Sequence, residues 1–132
     1  MNEITQRDSG SLSTAPIHVR AGSDRSGEHR SLGISTIAFK VTSQDGGGLL
    51  VLENTFHARG GPARHLHVAQ DEWFYCTEGE FIIEVGLERF AMQPGDSLLA
   101  PRKVPHVWAC VGNGLGRMLI AFTSSIAVLE TV

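Results

Sequence analysis

No stretch of this chain is apolar enough to span a membrane. Its longest strongly apolar run, Met118 to Phe122, is five residues, against roughly 20 for a spanning helix. The N-terminal residues, Met1 to Gly10, have no apolar core of the kind an export signal needs. Cysteine is scarce. The two present, Cys76 and Cys110, are too far apart in sequence for a C-x-x-C metal pair. Without an export signal the expected setting is a reducing cytoplasm, where a disulfide is not expected. Positive charge is not in excess either: 11 Lys and Arg stand against 14 Asp and Glu, for a formal net charge of −3. The basic residues are scattered, which excludes the patch a nucleic-acid or anionic-membrane partner would require. Helical periodicity is also missing, because 15 glycines and 5 prolines interrupt every window long enough to show it.

What the chain does have is length for about one domain, with 42% hydrophobic residues, near the globular norm. Residues 1–30 are polar and rich in Ser, Arg and Gly, with one candidate strand at Ile17–Arg20. They read as a partly disordered leader, or as an arm that orders by pairing with another sheet edge. The packed domain is expected over 31–132. Strands are predicted at Ile34–Val41, Leu49–Phe56, Trp73–Thr77, Glu80–Val85, Glu88–Ala91, Ser97–Ala100, His106–Val111 and Arg117–Thr123. They are separated by turn signals such as Asp45-Gly46-Gly47-Gly48, Gly86-Leu87 and Pro94-Gly95-Asp96. His57 to Arg64, broken by Gly60, Gly61 and Pro62, is expected to be irregular. Many short strands at this spacing make an all-β sandwich or barrel.

Four residues carry the chemistry. His65 and His67 are one residue apart, so on an extended segment both imidazoles point the same way. Glu72 follows after a small bend at Ala69-Gln70-Asp71, and His106, after Pro105, opens another predicted strand that an antiparallel barrel can bring alongside. Three imidazoles and one carboxylate suit a single divalent first-row metal: Fe, Mn, Ni, Co or Zn. His18, His29 and His57 have no spaced partner and read as ordinary surface or core histidines.

The pattern His65-x-His67-x4-Glu72-x6-Gly79 resembles the first motif of the cupins, and Pro101-x4-His106 resembles the core of the second. The Pro94-Gly95-Asp96 turn is similar to the one that cupins carry between them. The likeness runs from about Leu49 to Phe122, and from His65 to Gly95 it is closest to small single-domain cupins of the quercetin-dioxygenase-like group. It implies a jelly-roll-like β-barrel, with metal held by His65, His67, Glu72 and His106. Three positions depart from the pattern. Arg59 stands where a Gly usually opens the first motif, and Lys103 and Cys110 replace a usual Gly and a usual Asn in the second.

Alternation along the strands places Phe74 and Cys76 on the face of Glu72, and Trp108 and Cys110 on the face of His106. With Phe56 near the mouth, these five would line a substrate pocket, or simply fill a small barrel. Trp73 and Tyr75 would face outward. The resemblance implies an oxidoreductase of dioxygenase type acting on a small enolisable or aromatic substrate, with Glu72 as ligand and as general base when detached. Two alternatives stay open: a metal-dependent isomerase or cyclase that uses no oxygen, and a non-catalytic module that binds a small molecule. Arg64 would either orient an anionic substrate or be a solvated side chain. A homodimer formed by edge pairing is expected.

Overall fold

The computed structural model describes residues 15–45, 47–64, 66 and 69–123. Nine strands occur among them: β1 (Arg30–Ser31), β2 (Ser35–Val41), β3 (Leu50–Phe56), β4 (Glu72–Glu78), β5 (Phe81–Val85), β6 (Glu88–Met92), β7 (Ser97–Ala100), β8 (His106–Cys110) and β9 (Gly116–Phe122). They form two antiparallel sheets, one in the order β1-β2-β3-β9-β4-β7 and the other β6-β5-β8. The only helical element among the described residues is one 3-10 turn, Ser43–Asp45. The architecture is all-β and jelly-roll-like.

The central strands β3, β4, β5, β8 and β9 bury alternate side chains. In β4 Glu72, Phe74 and Cys76 are buried while Trp73 and Tyr75 lie on the outer face, their rings stacked at 5.7 Å. In β8 His106, Trp108 and Cys110 point inward. The sheets are joined by an aromatic cluster that draws on both. Phe56 and Phe74 of the large sheet meet Trp108 of the small one edge-on, at 5.3 and 5.7 Å between centroids, and Phe56 also meets Phe81 at 5.8 Å. Such pairs add roughly 0.5–1.5 kcal/mol each beyond the area they bury.

Two turns show why particular residues stand where they do. Gly79, between β4 and β5, has φ +81°, and a Cβ there would meet the carbonyl oxygen of Leu115 at 2.5 Å. Lys103 is the one non-glycine residue with positive φ (68°) among those described. It adopts the left-handed turn for which the resembled motif uses glycine, so the backbone is kept and the residue carries the strain.

The described part of the arm lies against the edge of its own sheet. β1 pairs with β2, and Arg25 N donates to the carbonyl of Phe39. The Asp24 carboxylate is buried and accepts from Ser26 N, Phe39 N and the Arg30 guanidinium at 2.8–3.3 Å. Ile17–Arg20, predicted as a strand, is not one. The β2 edge is already taken by Arg30–Ser31 and by Arg25, which leaves that segment no ladder to join.

Candidate functional site

Glu72 is the first residue of β4 and His106 the first of β8, 34 positions apart in sequence. Packing the two sheets brings them together: His106 Nε2 lies 2.8 Å from Glu72 Oε1, and both side chains are almost wholly buried. The other ring nitrogen, Nδ1, lies 3.2 Å from the carbonyl oxygen of Val104. Burial pulls the imidazole pKa down. The hydrogen bonds to Glu72 and to Val104 more than offset that, so His106 titrates above its ordinary value. With an acceptor at each nitrogen, the doubly protonated ring satisfies both.

A second link holds the two elements in place. Asp71, next to Glu72, accepts from the backbone N–H of Arg102 at 2.9 Å and from its guanidinium at 3.0 and 3.1 Å. The Arg102 guanidinium, then its amide, hold the Asp71 carboxyl below the usual carboxylate range. The loop leading into His106 is thereby pinned beside the start of β4.

Glu72 opens onto a cavity of about 320 Å³ between the sheets, within the range of small-molecule sites. Its apolar walls include Ile37, Leu52, Phe56, Trp108, Ile120 and Phe122, and Glu72 is the one titratable side chain among its described lining. Gly61 closes one side so tightly that a Cβ would meet the Trp108 carbonyl oxygen at 2.0 Å. A larger groove, about 680 Å³, runs along the outer face where the arm crosses β2 and β3. Several of its charges are spent on structure: Asp24 on Arg30, and Lys40 Nζ on the carbonyl of Ser23 at 2.7 Å.

Of the four expected ligands, Glu72 and His106 are brought together, while His65 and His67 lie outside the described residues. Phe56 and Trp108 line the cavity. Phe74, Cys76 and Cys110 are buried but are not among its lining residues, because the cavity opens toward β2, β3 and β9 whereas these three pack into the core. Both cysteines are free, and burial raises the Cys76 thiol. Arg64 reaches Glu84 at 2.6 Å on the surface. His18, His29 and His57 are exposed. Asn54 and Ser35, which belong to no motif, and Gly61 and Pro62, expected only to break the chain into an irregular segment, are also in the cavity wall. The signal for Asn54 was present, since it shares a strand face with Phe56 two residues on.

Among the described residues no group of three or more His, Cys, Asp or Glu side chains is placed to hold a metal ion, and Glu72 and His106 offer one carboxylate and one imidazole. In metal-binding sites a histidine ligand commonly gives one ring N–H to a carbonyl and presents the other nitrogen to the ion. Here Nδ1 of His106 meets the Val104 carbonyl and Nε2 meets the Glu72 carboxylate, so an ion at Nε2 would take the place of that second hydrogen bond.

The model of the cupin domain family matches residues 53–122. An uncharacterized protein of Methanocaldococcus jannaschii is 33% identical over 49 residues, 37% of this chain and 39% of that protein. Among solved structures, KdgF from a Halomonas species superposes with a TM-score of 0.66 at 17% identity, over 74% of this chain and 86% of that one. An oxalate oxidase in complex with the substrate analogue glycolate gives 0.62 at 18% identity, over 72% of this chain and 53% of that one. At such identities the structural matches speak for a shared fold. No helix among the described residues is long and apolar enough to cross a membrane.

Proposed function

The chain belongs to the cupin family, and on that premise we propose that it is a metal-dependent oxidoreductase of dioxygenase type acting on a small enolisable or aromatic substrate. The observation that carries the reading is the buried Glu72–His106 pair, 2.8 Å apart, with Glu72 in the wall of a mostly apolar cavity. Taking two ionisable groups out of water is costly, and the pair is weak as a source of stability. A cation-binding role gives it a reason to exist. His65 and His67, by their spacing, complete the ligand set. A bound divalent ion would supply Lewis-acid activation of an enolate or carbonyl oxygen and, if iron, a site for dioxygen.

The chain's own residues account for the rest. Phe56 and Trp108 offer ring faces and edges to a flat substrate, and the apolar walls exclude water, which strengthens every charge interaction inside. Glu72 faces the cavity, so removing a proton from an enolisable substrate falls to its carboxylate. That an oxidase with glycolate bound shares this fold supports an oxidative reading.

The test is elemental analysis of the purified protein, with thermal unfolding before and after chelation, followed by substrate-dependent oxygen uptake. An ion at 100 times its dissociation constant adds roughly 2.7 kcal/mol. Near-stoichiometric metal, a melting temperature that drops on chelation and oxygen consumption are expected. Turnover without oxygen uptake would replace the oxidative reading with a Lewis-acid isomerase, and absence of metal even after its addition would end the metal reading.

A further inference from the structure

Asn54 sits in β3 on the cavity face and is about nine-tenths buried or more, at 6% exposure. Its Oδ1 is inaccessible to solvent and has no hydrogen-bond partner. A buried amide oxygen left unpaired costs free energy, and nearly all such atoms in folded proteins are satisfied. The surroundings are mostly apolar, the exception being Ser35 of β2, buried in the same cavity wall opposite Phe56. Its cross-strand neighbours are Ile37 in β2 and Met118 in β9, and nearby cavity walls are Leu52 and Phe56. A leucine would fill the same place without an unpaired oxygen.

The position along the sheet is informative. Glu72 lies in the row of Phe122 and Leu50, and Asn54 is four residues further along β3 from Leu50. At about 3.3 Å per residue that is an offset of roughly 13 Å along the strands. The cavity touches both residues, so Asn54, with Ser35 beside it, marks one end of a mostly apolar space and Glu72 the other. A half-turn of the Asn54 amide exchanges Oδ1 and Nδ2, so this end can meet either a donor or an acceptor, and a hydroxyl suits both.

We propose that Asn54 is a specificity-determining residue of the cavity: it takes a hydroxyl at the far end of an elongated, mostly apolar substrate whose near end lies at Glu72. This rests on the cavity being the substrate site but not on the identity, or even the presence, of the metal.

The test uses neutral matched probes, phenethyl alcohol against its para-hydroxy analogue tyrosol, and hydrocinnamyl alcohol against its para-hydroxy analogue. Binding to the full chain is measured by titration calorimetry in metal-loaded and chelated protein, for wild type and Asn54→Leu. In at least one pair the para-hydroxy member should bind wild type roughly tenfold more tightly, the worth of one buried hydrogen bond. Asn54→Leu should bring that ratio near one while the melting temperature is unchanged or raised. Asn54→Ser, smaller and still polar, serves if leucine overpacks, and should retain part of the preference. Equal binding of both members by wild type, a preference that survives in Asn54→Leu, or no binding by any probe overturns the proposal. If water alone satisfies the amide, the ratio does not depend on residue 54. A full Asn54-dependent preference in protein that never takes up metal would sink the metal reading and leave this one standing.

Discussion

Replacing Asp24 with Asn removes one charge from the arm and leaves its volume unchanged. The wild-type carboxylate is 1% exposed and lies 3.0 Å from the Arg30 guanidinium, whose side chain keeps 33% of its surface in water. It also accepts the backbone amides of Phe39 and Ser26, each at 2.8 Å. Removing one partner of a fully buried pair costs about 3–5 kcal/mol. Because Arg30 stays partly hydrated, ~2–3 kcal/mol is expected here. For a domain of this size that lowers the melting temperature by roughly 8–15 °C. The pH dependence gives an independent check. The Arg30 guanidinium, aided by the two amides and against the opposing effect of burial, holds the Asp24 carboxyl well below the usual carboxylate range. Its folded value is therefore lower than the unfolded one of about 3.9. The stabilisation is fully present above about pH 4 and is lost as pH falls further. Thermal melts of Asp24→Asn and wild type should differ most near neutrality and converge in acid. A difference under about 2 °C at neutral pH, or one that persists undiminished in strong acid, would refute the buried-pair reasoning.

Lys103→Gly should stabilise the fold by about 0.5–1 kcal/mol, since relief of a left-handed L-residue (~1–2 kcal/mol) exceeds the added chain entropy of glycine. Denaturant titration checks this, and a loss of stability would mean that the exposed Lys103 side chain contributes something its φ of 68° does not reveal. Arg102→Ala should lower stability only slightly, because its fork on Asp71 is about a quarter exposed. If the clamp positions the loop entering His106, metal affinity measured by competition with a chelator should fall by about tenfold or more. Arg102→Lys should recover only part of it, as an ammonium cannot make the paired contact, and unchanged affinity in both variants would assign Arg102 to stability alone.

Much of this protein is written in short-range patterns. Alternation assigns the inward faces of β4 and β8, so Glu72, Phe74 and Cys76, and His106, Trp108 and Cys110, could be placed inside from the chain alone. Glycine, proline and aspartate at the turns mark where strands end, and residue type and spacing single out His65, His67, Glu72 and His106 as the expected cation ligands. Alternation does not say which inward residues meet, because that depends on register between strands far apart in sequence and on how two sheets pack. Tertiary structure set Glu72 Oε1 against His106 Nε2 and gave Nδ1 of that ring the Val104 carbonyl. It opened the cavity toward β2, β3 and β9, so that Phe56 and Trp108 line it while Phe74, Cys76 and Cys110 pack beside it. It also denied Ile17–Arg20 a strand by filling the β2 edge first. Asn54 shows the division most plainly: its facing is a local fact of β3, but its unpaired oxygen is a fact about everything packed around it.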